Sequence, residues 1–120
     1  MTPAATLDTA IEHHQSGDLE RARELYRAIL DRNPDDPAAL HGLGAVCYQS
    51  DDYDDAVGHL SRAVFLADRD AIYRNTLGLT YRAQGHLDKA CWQYRAALEL
   101  DPKNQGIQRN LDREIGRAHV

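Results

Sequence analysis

Two stretches, "DLERARELYRAILDRNP" at residues 18–34 and "HLDKACWQYRAALELDP" at residues 86–102, carry the reading of the whole chain. Laid over one another, Leu19, Ala22, Tyr26, Ile29 and Pro34 meet Leu87, Ala90, Tyr94, Ala97 and Pro102, each pair 68 residues apart. Half of that offset is 34, and a fixed period of this size marks a repeat architecture. At the half offset, Tyr53, Ala56, Leu60, Ala63 and Asp68 fill the matching places. The preceding segments align as well, with Leu43, Gly44 and Cys47 meeting Leu77, Gly78 and Tyr81. Three copies result, at 3–36, 37–70 and 71–104, and a remainder at 105–120.

Each copy reads as two amphipathic helices, because apolar or small residues recur at spacings of three and four. No segment alternates with period two for long enough to argue a strand. Thr2-Pro3 and Asp36-Pro37 each place an N-cap residue before a proline at the first helical position. Asp70 and Asn104 suit the starts of later helices, and Pro34 and Pro102 follow helices that must stop. The pattern predicts seven helices, near 3–16, 19–32, 37–50, 53–67, 71–84, 87–100 and 105–118. Gly44, Gly78 and Ala10 on the first helices, and Ala22, Ala56 and Ala90 on the second, allow close helix approach. Tyr26, Leu60 and Tyr94 are then expected to fill the groove with the next repeat.

The turn "QSDDYDDAV" at 49–57 looks at first like a metal loop. Its sister stretches are "QSGDLERAR" and "AQGHLDKAC", so it is the bend between paired helices. Asp51 takes the place of Gly17 and Gly85, which predicts a left-handed residue. Tyr53 replaces Leu19 and Leu87 and is expected to pack inward. Asp52 is expected to cap the second helix, with Asp54 and Asp55 at its positive end. A calcium loop would need a longer, regular run of oxygen ligands.

The composition narrows function. The chain has 120 residues, 42% hydrophobic and 28% charged, which fits one folded domain. No apolar run approaches the roughly 18 residues of a membrane span. The N-terminal stretch has no basic region followed by an apolar one, which argues against a secretory signal. Cys47 and Cys91 are distant and outside any CxxC, which suggests reduced thiols and a cytoplasmic location. The net charge of −5, with no basic patch interleaved with aromatics, disfavours nucleic acid. The charge is lopsided: residues 3–70 carry 14 acids against 6 bases, and residues 71–120 carry 5 against 8. Among His13, His14, His41, His59, His86 and His119 no pair stands at i, i+4, so no helical metal site is encoded locally. Adjacent His13 and His14 point about 100° apart on a helix. No phosphate loop, nucleophile elbow or catalytic-cysteine motif is present, and no cofactor is implied.

Leu77-Gly78, Tyr81, Ala90, Tyr94, Ala97 and Pro102, with the ending "ALELDPKN", resemble the tetratricopeptide repeat (TPR) family. The resemblance covers residues 3–104 and makes 105–118 a capping helix. The family's tryptophan is missing, since Thr6, Leu40 and Arg74 stand there, and Thr9 and His13 make the first repeat atypical. The resemblance implies an all-α, right-handed α-solenoid of antiparallel helix pairs. It also implies protein or peptide binding on a concave face, with no catalysis by the repeats; the lack of a long apolar run argues against membrane insertion.

By family register the groove-facing residues are Leu7, Ile11 and His14, then His41, Ala45, Tyr48 and Gln49, then Asn75, Thr76, Leu79 and Arg82. The last helix adds Arg109, Asn110 and Arg113. This face shows no acid apart from Asp8, so a segment with acidic groups beside apolar anchors is expected. His14 and His41 would make its binding depend on pH. The family's chaperone-binding subclass clamps a C-terminal carboxylate with Lys, Asn and Arg. Leu7, Ile11, Gly42, Ile72 and Thr76 occupy those places, which argues against such a partner. Phe65 and Trp92 stand at second-helix positions that hold Asp31, Glu99 and Glu24 in sister repeats, and they suggest a convex interface. Two other readings stay open. One is a self-assembling structural adaptor, a homo-oligomer joined end to end or through the convex face. The other is the N-terminal TPR region of a larger bacterial glycosyltransferase- or sulfotransferase-like enzyme.

Overall fold

The computed structural model describes residues 5–118. Within them the chain forms seven helices and no strand: α1 Leu7–Gln15, α2 Leu19–Arg32, α3 Pro37–Gln49, α4 Tyr53–Leu66, α5 Ala71–Ala83, α6 Leu87–Leu100 and α7 Gln105–Ala118. They pair as α1/α2, α3/α4 and α5/α6, and α7 packs on α6. The stack is elongated, 56 × 26 × 22 Å.

Side-chain caps set most helix starts. Asp18, Asp36, Asp70 and Asn104 accept from the backbone N–H three residues on, at 3.0–3.2 Å. The first helix corrects the sequence expectation. Thr2 and Pro3 lie outside the described residues, and Ala5 and Thr6 are not helical. Thr6 and Thr9 form a reciprocal capping pair, each backbone N–H donating to the other's Oγ1 at 3.2 Å. That satisfies two otherwise orphaned groups, so the helix begins at Leu7. A second correction concerns Asp52. It precedes α4 but makes no side-chain cap bond. Its carboxylate lies 3.6 Å from Arg23 Nη2 on α2, where an opposite charge competes for it.

The bend inside each pair has one geometry. Gly17, Asp51 and Gly85 have φ of 86°, 64° and 83°. In each, the next N–H reaches back five residues: Asp18 to His13 O, Asp52 to Cys47 O and His86 to Tyr81 O, at 2.8–2.9 Å. This is the Schellman ending, whose left-handed residue favours glycine. Asp51 is tolerated there and accepts from Tyr53 Oη at 2.9 Å. Tyr53 is half-buried, as are Leu19 and Leu87 at the same place in the sister repeats. Asp54 accepts from Gln84 of the following repeat at 2.8 Å.

The pairs close on small residues. Ala10, Ala22, Ala56 and Ala90 are fully buried. A Cβ added to Gly44 would lie 2.5 Å from Leu60 Cγ, and one on Gly78 would lie 2.6 Å from the Tyr94 ring. Leu60 and Tyr94 thus sit over the glycine of their own repeat. Tyr26 lies over a glycine of the next one, Gly42. Leu60 also belongs to a buried cluster with Leu77 of the next repeat, and Tyr94 to one with Ile107 and Leu111 of α7, so all three face the element that follows. Cys47 and Cys91 are buried free thiols, and burial pushes both up from their ordinary pKa.

Gly78→Ala is expected to destabilise by about 1–3 kcal/mol despite alanine's better helix propensity, because the buried Tyr94 ring cannot yield. Asp51→Gly is expected to stabilise by up to about 1 kcal/mol, since it relieves the left-handed strain and loses only an exposed hydrogen bond. Urea unfolding of both variants checks the two signs.

Candidate functional site: the face lined by the first helices

Side-by-side contacts along the stack run α1 to α3, α3 to α5 and α5 to α7. Among the described residues the second helices α2, α4 and α6 do not touch one another. The first helices therefore line the inside of the curve.

Three hydrogen bonds cross this inner face at a constant offset of 35 residues: His14 to Gln49, His41 to Thr76 and Asn110 to Asn75. The last two measure 3.0 Å. The offset is the repeat period plus one, so each rung ties a first helix to its neighbour in the next repeat. The rungs consume polar groups that would otherwise be free in the groove, and they hold its walls in place.

Leu7, Ile11, His14, Tyr26, His41, Gln49 and Tyr73 surround an open cavity of about 540 Å³. His14 Nδ1 lies 3.0 Å from Tyr26 Oη, and its other nitrogen faces Gln49 Oε1. Gln49 accepts from Nε2–H, so Nδ1 accepts from the tyrosine. His41 stacks on Tyr73, with centroids 4.5 Å apart and planes at 21°. Thr76 Oγ1 donates to Ile72 O and therefore accepts from His41 Nε2–H. Burial lowers the pKa of His41, helped by nearby His14 and opposed by Asp70. Burial raises Tyr26 and Tyr73, the latter with added repulsion from Asp70 and Asp36.

The structure brings Leu7, Ile11, His14, His41 and Gln49 together in that cavity. Ala45 and Tyr48 are half-buried on α3, with the Tyr48 ring 6.0 Å from that of Tyr53. Leu79 packs inward against the α6/α7 core, and Asn75 is engaged with Asn110. Arg109 is exposed and makes no ion pair among the described residues. Arg82 and Arg113 do not stand free. Both contact Glu114 Oε1, at 2.7 and 3.2 Å, and Glu114 is completely buried. An acid that the sequence reading did not connect with this face, Glu114, lies beneath it rather than on it. Glu114 stands 34 residues after Thr80 and 68 after Val46, both buried, so the repeat frame itself flags an acid at a core position. Tyr73 carries no groove signal in the sequence, and its place on the cavity wall and its stacking on His41 reveal it. On the opposite side, Phe65 and Trp92 are 83% and 69% exposed.

An array of helical hairpins with a preformed inner face is a protein-interaction module. The chain belongs to the tetratricopeptide repeat family, whose models match residues 7–71 and 71–104. It is 34% identical over 110 residues to cellulose synthase operon protein C of Pseudomonas fluorescens, covering 85% of this chain and 9% of that protein. It spans only small parts of its first curated relatives, 9%, 11% and 19% of their lengths. Among solved structures, the Thermobaculum terrenum O-GlcNAc transferase superposes with a TM-score of 0.88 at 30% identity, over 91% of this chain and 21% of that one. The first TPR of Spaghetti (RPAP3), solved bound to an HSP90 peptide, shares the fold with a TM-score of 0.90 at 18% identity, over 94% and 90%. Among the described residues no helix is long and apolar enough to cross a membrane.

The His41 and His59 pKa values are both lowered from 6.5 by burial. As pH falls below 6.5 the unfolded chain takes up protons that the native state resists. Stability is thus complete above 6.5 and declines toward the lower folded values. Urea midpoints measured from about pH 7.5 to about 5.5 are expected to fall, and His41→Gln to flatten part of that fall.

Proposed function

We propose that the inner face holds an extended peptide or disordered segment of a protein partner. The repeats themselves carry out no catalysis. The observation that supports this reading is the open, aromatic-lined cavity whose walls are already tied together by the inter-repeat rungs. A rigid site leaves the ordering cost to the ligand alone. Leu7, Ile11 and the His41/Tyr73 stack offer apolar contact at one end, and Arg109, with the Arg82/Arg113 pair, leaves the other end positive. A segment with apolar anchors followed by acidic groups fits both ends. Leu7, Ile11, Gly42, Ile72 and Thr76 lack the cations of a chaperone carboxylate clamp, and Gly42 lies beneath Tyr26.

A second reading rests on the exposure of Phe65 and Trp92, which would suit self-association or a partner on the outer face. Either surface could also serve a TPR region within a longer enzyme, as the likeness to the O-GlcNAc transferase chain suggests.

A displayed peptide library panned on the purified chain separates the faces. Ile11→Asp with Tyr48→Ala is expected to weaken the selected peptides by about tenfold or more, roughly 1.4 kcal/mol. Phe65→Ser with Trp92→Ser is expected to leave them unchanged. The opposite pattern would transfer the function to the outer face.

A further inference from the structure

Glu114 has no exposed surface, and the repeat frame places it where Val46 and Thr80 build the core. A buried carboxylate persists only where charge and hydrogen bonds compensate its lost hydration. Here two guanidiniums supply the charge at Oε1, while Oε2 has no hydrogen-bond partner among the described residues. Arg82 Nε and Arg113 Nε both approach Oε1, at 2.7 and 3.2 Å. Arg113 is further held by Asn110, whose Oδ1 accepts from Nη2 at 3.3 Å, and Asn110 donates to Asn75 on α5 at 3.0 Å. Two helices, α5 and α7, are thus joined through one buried acid and one inter-repeat rung. Below lies Tyr94, fully buried, its hydroxyl without a partner among the described residues. Burial, with repulsion from Glu114, pushes Tyr94 up to about 12.

The orientation of the arginines matters more than their number. Each faces the acid through Nε, the inner end of its guanidinium: Arg113 Nε donates to Oε1 at 3.2 Å, and Arg82 Nε lies at ion-pair distance without a hydrogen bond to it. Arg82 Nε is buried, while among the described residues its two Nη nitrogens have no hydrogen-bond partner and are not sealed in. The Arg82 and Arg113 side chains remain 27% and 41% exposed. Two cations and one buried anion leave a single net positive charge at the surface of the groove. A long side chain ordinarily loses rotamer freedom when it binds a ligand, and a guanidinium already pinned by an internal acid has lost it in advance.

We propose that Arg82 and Arg113, held in place by Glu114, form a binding fork for one carboxylate of a bound peptide at the C-terminal end of the groove. The guanidinium Nη groups donate to the two carboxylate oxygens, a geometry that arginine supports and lysine does not. The site lies at the α5/α7 junction, away from the positions at which the chaperone-binding subclass places its clamp. Glu114 is a positioning residue and does not touch the ligand. The inference rests on the reading that the inner face binds a peptide.

The test uses the intact chain and short fluorescein-labelled peptides with Leu and Phe anchors. One form carries Glu residues and an amidated end. A second has Gln for each Glu, also amidated. A third is the Gln form with a free terminal carboxylate. Wild type is expected to bind the first or the third about tenfold more tightly than the second, and which of them gains tells whether a side chain or a chain terminus supplies the carboxylate. Arg82→Lys and Arg113→Lys keep the charge and should each abolish that preference while leaving affinity for the second peptide unchanged. In ¹⁵N spectra of the free protein, the Arg82 and Arg113 Hε protons should exchange slowly with solvent, and Glu114→Gln should speed both. Lysine variants that retain the full preference would reduce the arginines to a diffuse positive field and overturn the fork. Equal binding of all three peptides by wild type would do the same while sparing the groove. Binding of none would remove the groove reading and the fork with it.

Discussion

Everything in the molecule depends on how closely the helices of a pair can approach. At Gly78 the Tyr94 ring sits where a side chain would be, and at Gly44 Leu60 does the same. Absence of a Cβ lets two helices close until a large residue on one fills the hollow on the other. The buried alanines at positions 10, 22, 56 and 90 sustain close packing along the stack. The pairs then stack with their first helices in mutual contact, and that asymmetry produces an inner and an outer face. Curvature, groove and exposed outer aromatics all descend from it.

Once the first helices are neighbours, their register follows from the repeat. Thirty-four residues separate equivalent positions, and one residue more brings side chains of adjacent helices into hydrogen-bonding reach. His14–Gln49, His41–Thr76 and Asn75–Asn110 exploit that single offset with different chemistries. The groove is consequently less open chemically than its residue types suggest. Groups that would read as free donors and acceptors are already engaged with one another, and the surface left to a partner is aromatic and aliphatic at one end and positive at the other.

The positive end illustrates how a repeat can be altered for a purpose. Thr80 reconciles a hydroxyl with full burial by donating to Thr76 O at 2.9 Å. One repeat later the same position holds Glu114, which pairs with Arg113 on its own helix and with Arg82 on α5. A core position has become an electrostatic junction between α5 and α7. The arginines that look like solvated surface in the sequence are paired with a buried acid.

Periodicity alone decided the number of helices, their pairing and the turns, because those follow from local bonds: a cap three residues ahead, a left-handed residue after the last turn, a proline that cannot continue. The reading of "QSDDYDDAV" as a helix ending was available for that reason, with Asp51 marked by its glycine counterparts. The first cap was not legible: the sequence pointed to Thr2 before Pro3, and the reciprocal bonds of Thr6 and Thr9 start the helix at Leu7. Contacts between distant helices were decided only by tertiary structure. Nothing in the order of residues shows that Arg23 takes Asp52 from its helix end, that Tyr73 stacks on His41, or that Arg82 and Arg113 meet on one oxygen of Glu114. Those arrangements depend on distance across the stack, and distance is a property of packing.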